Sequence, residues 1–115
     1  MAVSPEYREF VLEQLRRVAP AVTSRGMFGG VGVYADGFFF ALLAGDTLYL
    51  KTDDVNRPDF EAVGMGPFRP FGGDDAMSYY ELPADLLEDA DRLRPWIDKA
   101  IDVARRQRKS KGKKK

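Results

Sequence analysis

The sequence contains no cysteine and no histidine. The first absence excludes disulfides and thiolate nucleophiles. The second removes the usual general base at neutral pH, and together they take away the two commonest zinc ligands. Long apolar runs are missing as well: no stretch approaches the roughly 18–20 residues that cross a bilayer as a helix. The acidic, amphipathic start lacks the basic beginning and apolar core of a secretion signal, so a soluble cytoplasmic protein is expected. Net charge is also absent, because eighteen Lys and Arg balance eighteen Asp and Glu. That balance conceals a division along the chain. Residues 105–115 hold eight cations and no acid, which leaves ten basic against eighteen acidic side chains in residues 1–104.

What is present is enough for a core. The chain has 115 residues, 44% of them hydrophobic, with eight Phe and five Tyr. This is the size and composition of one folded domain, expected over residues 1–104, followed by a basic tail with nothing to bury, expected to be disordered over 105–115.

Ser4-Pro5-Glu6 signals a helix start: a hydroxyl to cap, a proline that loses no hydrogen bond in the first turn, and an acid at the positive end of the dipole. Tyr7, Phe10, Val11, Leu15 and Val18 then share a helical face, and Pro20 ends the run. Residues 27–34, 38–43 and 47–51 read as three strands separated by Ala35-Asp36-Gly37 and Ala44-Gly45-Asp46, whose Asp-Gly and Gly-Asp pairs suit tight hairpins. Asn56 caps a short second helix that turns Phe60 and Val63 toward the core and closes at Gly64. Residues 67–71 read as a proline-bearing edge strand and 76–82 as a further strand. One helical turn follows over 83–87. Asp89 then caps a last helix, where Leu93, Trp96, Ile97, Ala100, Ile101 and Ala104 recur with helical spacing and Pro95 forces a kink or restart. The expected fold is α+β, two-layered, in the order α-β-β-β-α-β-β-α, with an antiparallel meander packed by helices.

Chemistry has few places to reside. Arg25-Gly26-Met27-Phe28-Gly29-Gly30-Val31-Gly32 is rich in glycine, but it leads into a strand rather than a helix N-terminus and lacks nucleotide-loop spacing. It reads instead as a strand bulge that holds Arg25 or Phe28 outward as a recognition element. Asp53-Asp54 and Asp74-Asp75 fall in turns without calcium-loop spacing, and so read as solvated turn formers rather than a metal site. The serines and threonines have no imidazole to activate them. An anion clamp would depend on Arg25, Arg57 or Arg69. No catalytic residue, metal or cofactor is expected.

The strand 38–43 is apolar on both faces. Phe38, Phe40 and Leu42 are expected toward the helices, and Phe39 and Leu43 on the far side near Tyr34 and Tyr49. Either the last helix crosses that second face, or it is a partner surface or dimer interface to which Tyr79 and Tyr80 could add. Arg25, Met27, Phe28, Gly29, Gly30, Tyr34, Phe39 and Tyr49 are therefore the candidate contacts for a protein partner or a second copy. The tail cations, Arg105, Arg106, Arg108, Lys109 and Lys111 among them, give an alternative: weak, sequence-blind, salt-dependent attraction to nucleic acid. No apolar anchor accompanies them to suggest a membrane.

Taken together, Arg25-Gly26-Met27-Phe28-Gly29-Gly30, Gly32-Val33-Tyr34, Gly37, Phe40-Ala41, Leu48-Tyr49-Leu50-Lys51, Phe60, Gly64, Pro67-Phe68, Ser78-Tyr79-Tyr80, Pro83 and Leu93-x-x-Trp96 resemble the TfoX N-terminal domain family. Such domains occur in bacterial regulators of natural DNA uptake. The resemblance covers about residues 7–104. It implies an α+β domain of the same element order, a bacterial cytosolic setting and a regulatory role in transcription, with no established catalytic residues to carry over. Larger members continue into a helical C-terminal domain. Here only the basic string follows Ala104, as in a stand-alone member.

Overall fold

Ser4 starts the first helix as its hydroxyl suggests, its Oγ accepting from the Tyr7 N–H at 3.2 Å, with Pro5 in the first turn. The computed structural model describes residues 3–19, 21–27, 29–68 and 78–112, with 109–112 in backbone only. Helix α1 (Pro5–Arg16) buries Val11, Leu12 and Leu15, and Val18 follows into the same core. Phe10, expected on that face, is 39% exposed. The buried stripe is rotated by part of a turn so that Leu12 takes its place.

Among the described residues, five antiparallel strands follow in chain order across one sheet: β1 (Val22–Met27), β2 (Gly30–Ala35), β3 (Phe38–Ala44), β4 (Thr47–Lys51) and β5 (Tyr79–Glu81). The hairpin joining β2 to β3 has positive φ at both Asp36 (52°) and Gly37 (84°), the I′ geometry that Asp-Gly favours. Gly45 supplies the positive φ (58°) between β3 and β4.

At the glycine segment the structure departs from expectation. Residues 27–34 are not one bulged strand. The chain reverses after Met27, which pairs with Gly30, and Gly29 takes φ +79° in the turn. An additional strand, β1, therefore precedes it. The expected strand over 67–71 shows, among the described residues, a single bridge from Pro67 to Tyr80, and 69–71 lie outside them. Among the described residues the order is α-β-β-β-β-α-β-α, with four strands ahead of α2 where three were expected.

Asn56 precedes helix α2 (Arg57–Ala62) but does not cap it with its side chain. Its amide instead accepts from the Asp53 N–H at 2.9 Å and donates to the Lys51 carbonyl at 3.1 Å, buried at 1% exposure. This braces the exit from β4. At the other end Gly64 (φ +79°) bonds to the Glu61 carbonyl and Met65 to that of Phe60, closing the helix in a Schellman motif. Phe60 is buried, but Val63, expected toward the core, is 49% exposed. A 3₁₀ turn (Ala84–Glu88) leads to Asp89, whose carboxylate accepts from Arg92 N–H at 3.3 Å at the start of α3 (Ala90–Gly112).

Helix α3 contains Pro95 within its length and is otherwise continuous to Gly112. Residues 105–112 are thus helical rather than disordered, a second correction. The physical reason is docking: although no apolar face remains, Arg105 and Arg108 lie against Phe38, and Arg106 pairs with Asp53.

The main core fills one side of the sheet. Val33, Phe40, Leu43 and Leu50 meet Leu15, Phe60, Leu93 and Ile97 from the helices. Trp96 packs edge-on to Phe60 at 4.9 Å. Alternation along β3 is interrupted. Val33 pairs with Ala41 but Tyr34 with Phe39, which leaves Phe40 as an extra residue in a bulge. The bulge shifts the parity, so Phe40, Ala41 and Leu43 all face the helices while Leu42 turns away. Leu42 and Leu43 hence occupy faces opposite to those expected.

Candidate functional site

On the far face of the sheet stands a second apolar cluster. Ala44, Phe68 and Tyr79 are buried in it, with Phe39, Leu42 and Tyr49 partly buried around them. Tyr34 and Phe39 stack at 5.1 Å between ring centroids, Phe39 meets Tyr79 at 5.7 Å, and Tyr49 meets Phe68 at 4.7 Å. The Lys51 ammonium lies over Phe39 and Tyr79 at 5.3 and 5.7 Å, within cation–π range. Helix α3 does not cross this face, contrary to one of the two expectations. Its buried residues Leu93, Ile97, Ala100, Ile101 and Ala104 all belong to the opposite core.

Strand register shows how the sequence places these groups. Arg25, Gly32, Leu42, Tyr49 and Glu81 stand opposite one another across the five strands. Directly opposed residues share a face, so this row carries a cation at one edge, an apolar centre and an anion at the other edge. Burial pushes the Tyr79 hydroxyl above its ordinary pKa, with Tyr34 adding to the effect. Burial raises Tyr49 as well, reinforced by the Glu81 charge and partly offset by a hydrogen bond with Thr47. Both phenols remain neutral hydrogen-bonding groups at physiological pH.

The glycines that drew attention in the sequence serve this packing. A Cβ on Gly30 would collide with the Leu43 carbonyl oxygen, so glycine lets β2 approach β3. A Cβ on Gly32 would lie 2.5 Å from Met27 Cε and 3.2 Å from Phe39 Cε1. Met27 therefore occupies the space over Gly32 and abuts the aromatic cluster. Of the candidate contacts, Met27, Tyr34, Phe39 and Tyr49 are brought together. Arg25 is exposed on edge strand β1, Gly29 and Gly30 shape the hairpin, and Phe28 lies outside the described residues.

Sequence reasoning missed Leu42 and Phe68. It paired Tyr80 with Tyr79, although strand alternation sends Tyr80 to the helix side, where it meets Phe60 at 5.8 Å. The candidate anion clamp is not assembled: Arg57 pairs with Asp54 at 2.8 Å on α2, far along the sheet order from Arg25, and Arg69 is outside the described residues. Asp53 is likewise committed, accepting from the Val55 N–H and from Arg106, while Asp74-Asp75 lie outside the described residues. A concavity of about 490 Å³ opens elsewhere, between α2, the 3₁₀ turn and α3. Val63, Met65, Pro83, Leu86 and Trp96 line it, with Asp85 and Arg92 3.6 Å apart at its rim.

A sheet packed by helices on one side, presenting an aromatic and aliphatic cluster on the other, defines a small α+β domain. Comparison with known families makes this specific: the chain belongs to the TfoX N-terminal domain family, whose model matches residues 13–104. The match begins inside α1 and ends at Ala104, and it includes both the β1–β2 hairpin and the Leu-Tyr-Leu-Lys of β4. Among curated proteins, none is similar to the chain. No helix among the described residues is long and apolar enough to cross a membrane.

Proposed function

We propose that this domain works by contact rather than catalysis, as a regulatory module that engages a protein partner through the second face of its sheet. Membership in a family linked to regulation of DNA uptake supports a regulatory role. The observation that carries the proposal is the two-sidedness of β3 and β4. Each sends apolar residues to both faces, yet among the described residues the helices pack on one of them. Aromatic groups on a sheet face away from the helices are the residues that most often anchor protein interfaces.

Phe39→Ser and Tyr49→Ser test this. Both side chains are partly exposed, so each variant should retain a cooperative melt. Affinity capture with the variant as bait should lose the proteins that the wild type retains, with binding weakened by about tenfold or more per anchor. Variants that unfold would assign the cluster to the structural core. Variants that fold and still capture the same proteins would refute the proposal.

A further inference from the structure

Helix α3 extends beyond its own core. Ala104 is buried, and from there the backbone continues for about two turns to Gly112, carrying Arg105, Arg106, Arg108, Lys109 and Lys111. Three of these cations touch the body. Arg106 donates from Nε and Nη2 to Asp53 Oδ2 at 3.2 and 2.9 Å. The Arg105 and Arg108 guanidinium groups lie 5.5 and 4.6 Å from the Phe38 ring centroid, and Arg108 donates to the Gly37 carbonyl at 3.3 Å. Asp102, one turn earlier, lies 3.8 Å from Arg105 and marks where the acidic part of the helix gives way to the basic part.

These contacts hold the helix in place without hiding its charge. The Arg106 and Asp53 side chains remain 46% and 27% exposed. A carboxylate against a guanidinium makes the charge-assisted hydrogen bonds that a phosphate oxygen would make. We propose that the C-terminal turns of α3 bind the phosphate backbone of duplex nucleic acid, and that Asp53 occupies Arg106 until a phosphate displaces it. Residues 105–115 contain no apolar side chain with which to grip a peptide, whereas a regular row of phosphates needs only closely spaced cations. The surface is separate from the sheet face and does not depend on the role assigned there.

The test uses the full chain and a fluorescent duplex of about 20 base pairs, with anisotropy read between about 50 and 200 mM salt. The wild type should bind, with log K falling linearly against log salt. Arg106→Gln should weaken binding and reduce the slope by about 0.9. Asp53→Asn retains an acceptor for the Val55 N–H but gives up the charge. At the lowest salt it should tighten binding by about 1.5- to 5-fold, the range that corresponds to an exposed ion pair, and should have no such effect when combined with Arg106→Gln. Asp54→Asn removes the same charge one residue away, from a carboxylate that pairs with Arg57, and should change little. Absence of binding at the lowest salt, or equally tight binding of polyglutamate, would overturn the phosphate assignment. Equal tightening by Asp54→Asn would overturn the role of Asp53.

Discussion

Replacing Gly30 with alanine puts a methyl group where β2 and β3 leave no space for one. Besides the collision with the Leu43 carbonyl oxygen, the new Cβ would lie 3.6 Å from the Leu43 carbonyl carbon and 3.7 Å from the Met27 carbonyl oxygen. All of these obstacles are backbone atoms, so relief requires the strands to part or the β1–β2 hairpin to shift. Overpacking of this kind costs about 1–3 kcal/mol, and the stiffer unfolded chain returns about 0.4–1 kcal/mol. The balance is a loss of roughly 1–2 kcal/mol. In a domain near this size that lowers the melting midpoint by about 4–16 °C. Gly32→Ala provides the contrast. Its Cβ would press on the far end of Met27, with Phe39 Cε1 at 3.2 Å. Moving a side chain off its preferred rotamer costs about 0.5–1.5 kcal/mol, and alanine recovers about 0.5–1 kcal/mol over glycine inside a strand. Thermal and urea unfolding followed by circular dichroism should place Gly32→Ala near the wild type and Gly30→Ala well below it. Coincident melts for Gly30→Ala and the wild type, or a larger loss from Gly32→Ala, would refute the close-approach argument.

Three further perturbations address other parts of the molecule. Burial pushes the Asp53 carboxyl up, but hydrogen bonds from Arg106 and from the Val55 and Asn56 backbone outweigh it and hold the group below its ordinary value of 3.8. Its contribution is therefore fully present above the unfolded pKa and is lost as pH falls through the lower folded one. The stability gap between wild type and Asp53→Asn, about 1 kcal/mol or less for a partly exposed pair, should be constant from about pH 5 to 8 and shrink below about pH 4. A gap that widens on acidification would contradict the assignment. Phe60, 1% exposed and in contact with Trp96 and Tyr80, should cost about 3–5 kcal/mol on truncation to alanine, with the tryptophan emission shifting to the red. Asn56→Ala should cost about 1–3 kcal/mol in urea unfolding by leaving the Asp53 N–H and Lys51 carbonyl without their partner. Asn56→Asp, which keeps the acceptor but sets a buried carboxylate against the Lys51 carbonyl, should cost at least as much as alanine.

Much of the architecture could be read from local chemistry, because local chemistry determines it. Ser4-Pro5, Asp36-Gly37 and Gly64 each demand a particular backbone geometry, and each adopts it. The apolar spacing of α3 gave its buried stripe from Leu93 to Ala104 directly. What escaped the sequence depends on partners distant along the chain. The bulge at Phe40 arises from how β3 pairs with β2, and no pattern within β3 announces it, so the faces of Leu42 and Leu43 were exchanged. Asn56 carries the signature of a helix cap, but the exit from β4 makes better use of its amide. Basic residues after Ala104 have no apolar periodicity, and Phe38 and Asp53, which hold them, lie more than fifty residues earlier. Of the candidate face, Tyr34, Phe39 and Tyr49 were visible from alternation alone, whereas Phe68 required knowledge of where the chain returns after α2.

A sheet in which every strand lies beside its chain neighbour has consequences for how the molecule forms. From β1 to β4 each pairing closes only a short hairpin loop, so four strands can zip together with little entropy lost to loop closure. Strand β5 is different: it reaches β4 only after the whole α2 segment has been laid down, and its Tyr79 and Tyr80 then contribute to the clusters on opposite faces. Because its two tyrosines point opposite ways, that three-residue strand ties the apolar layers on the two sides of the sheet to each other.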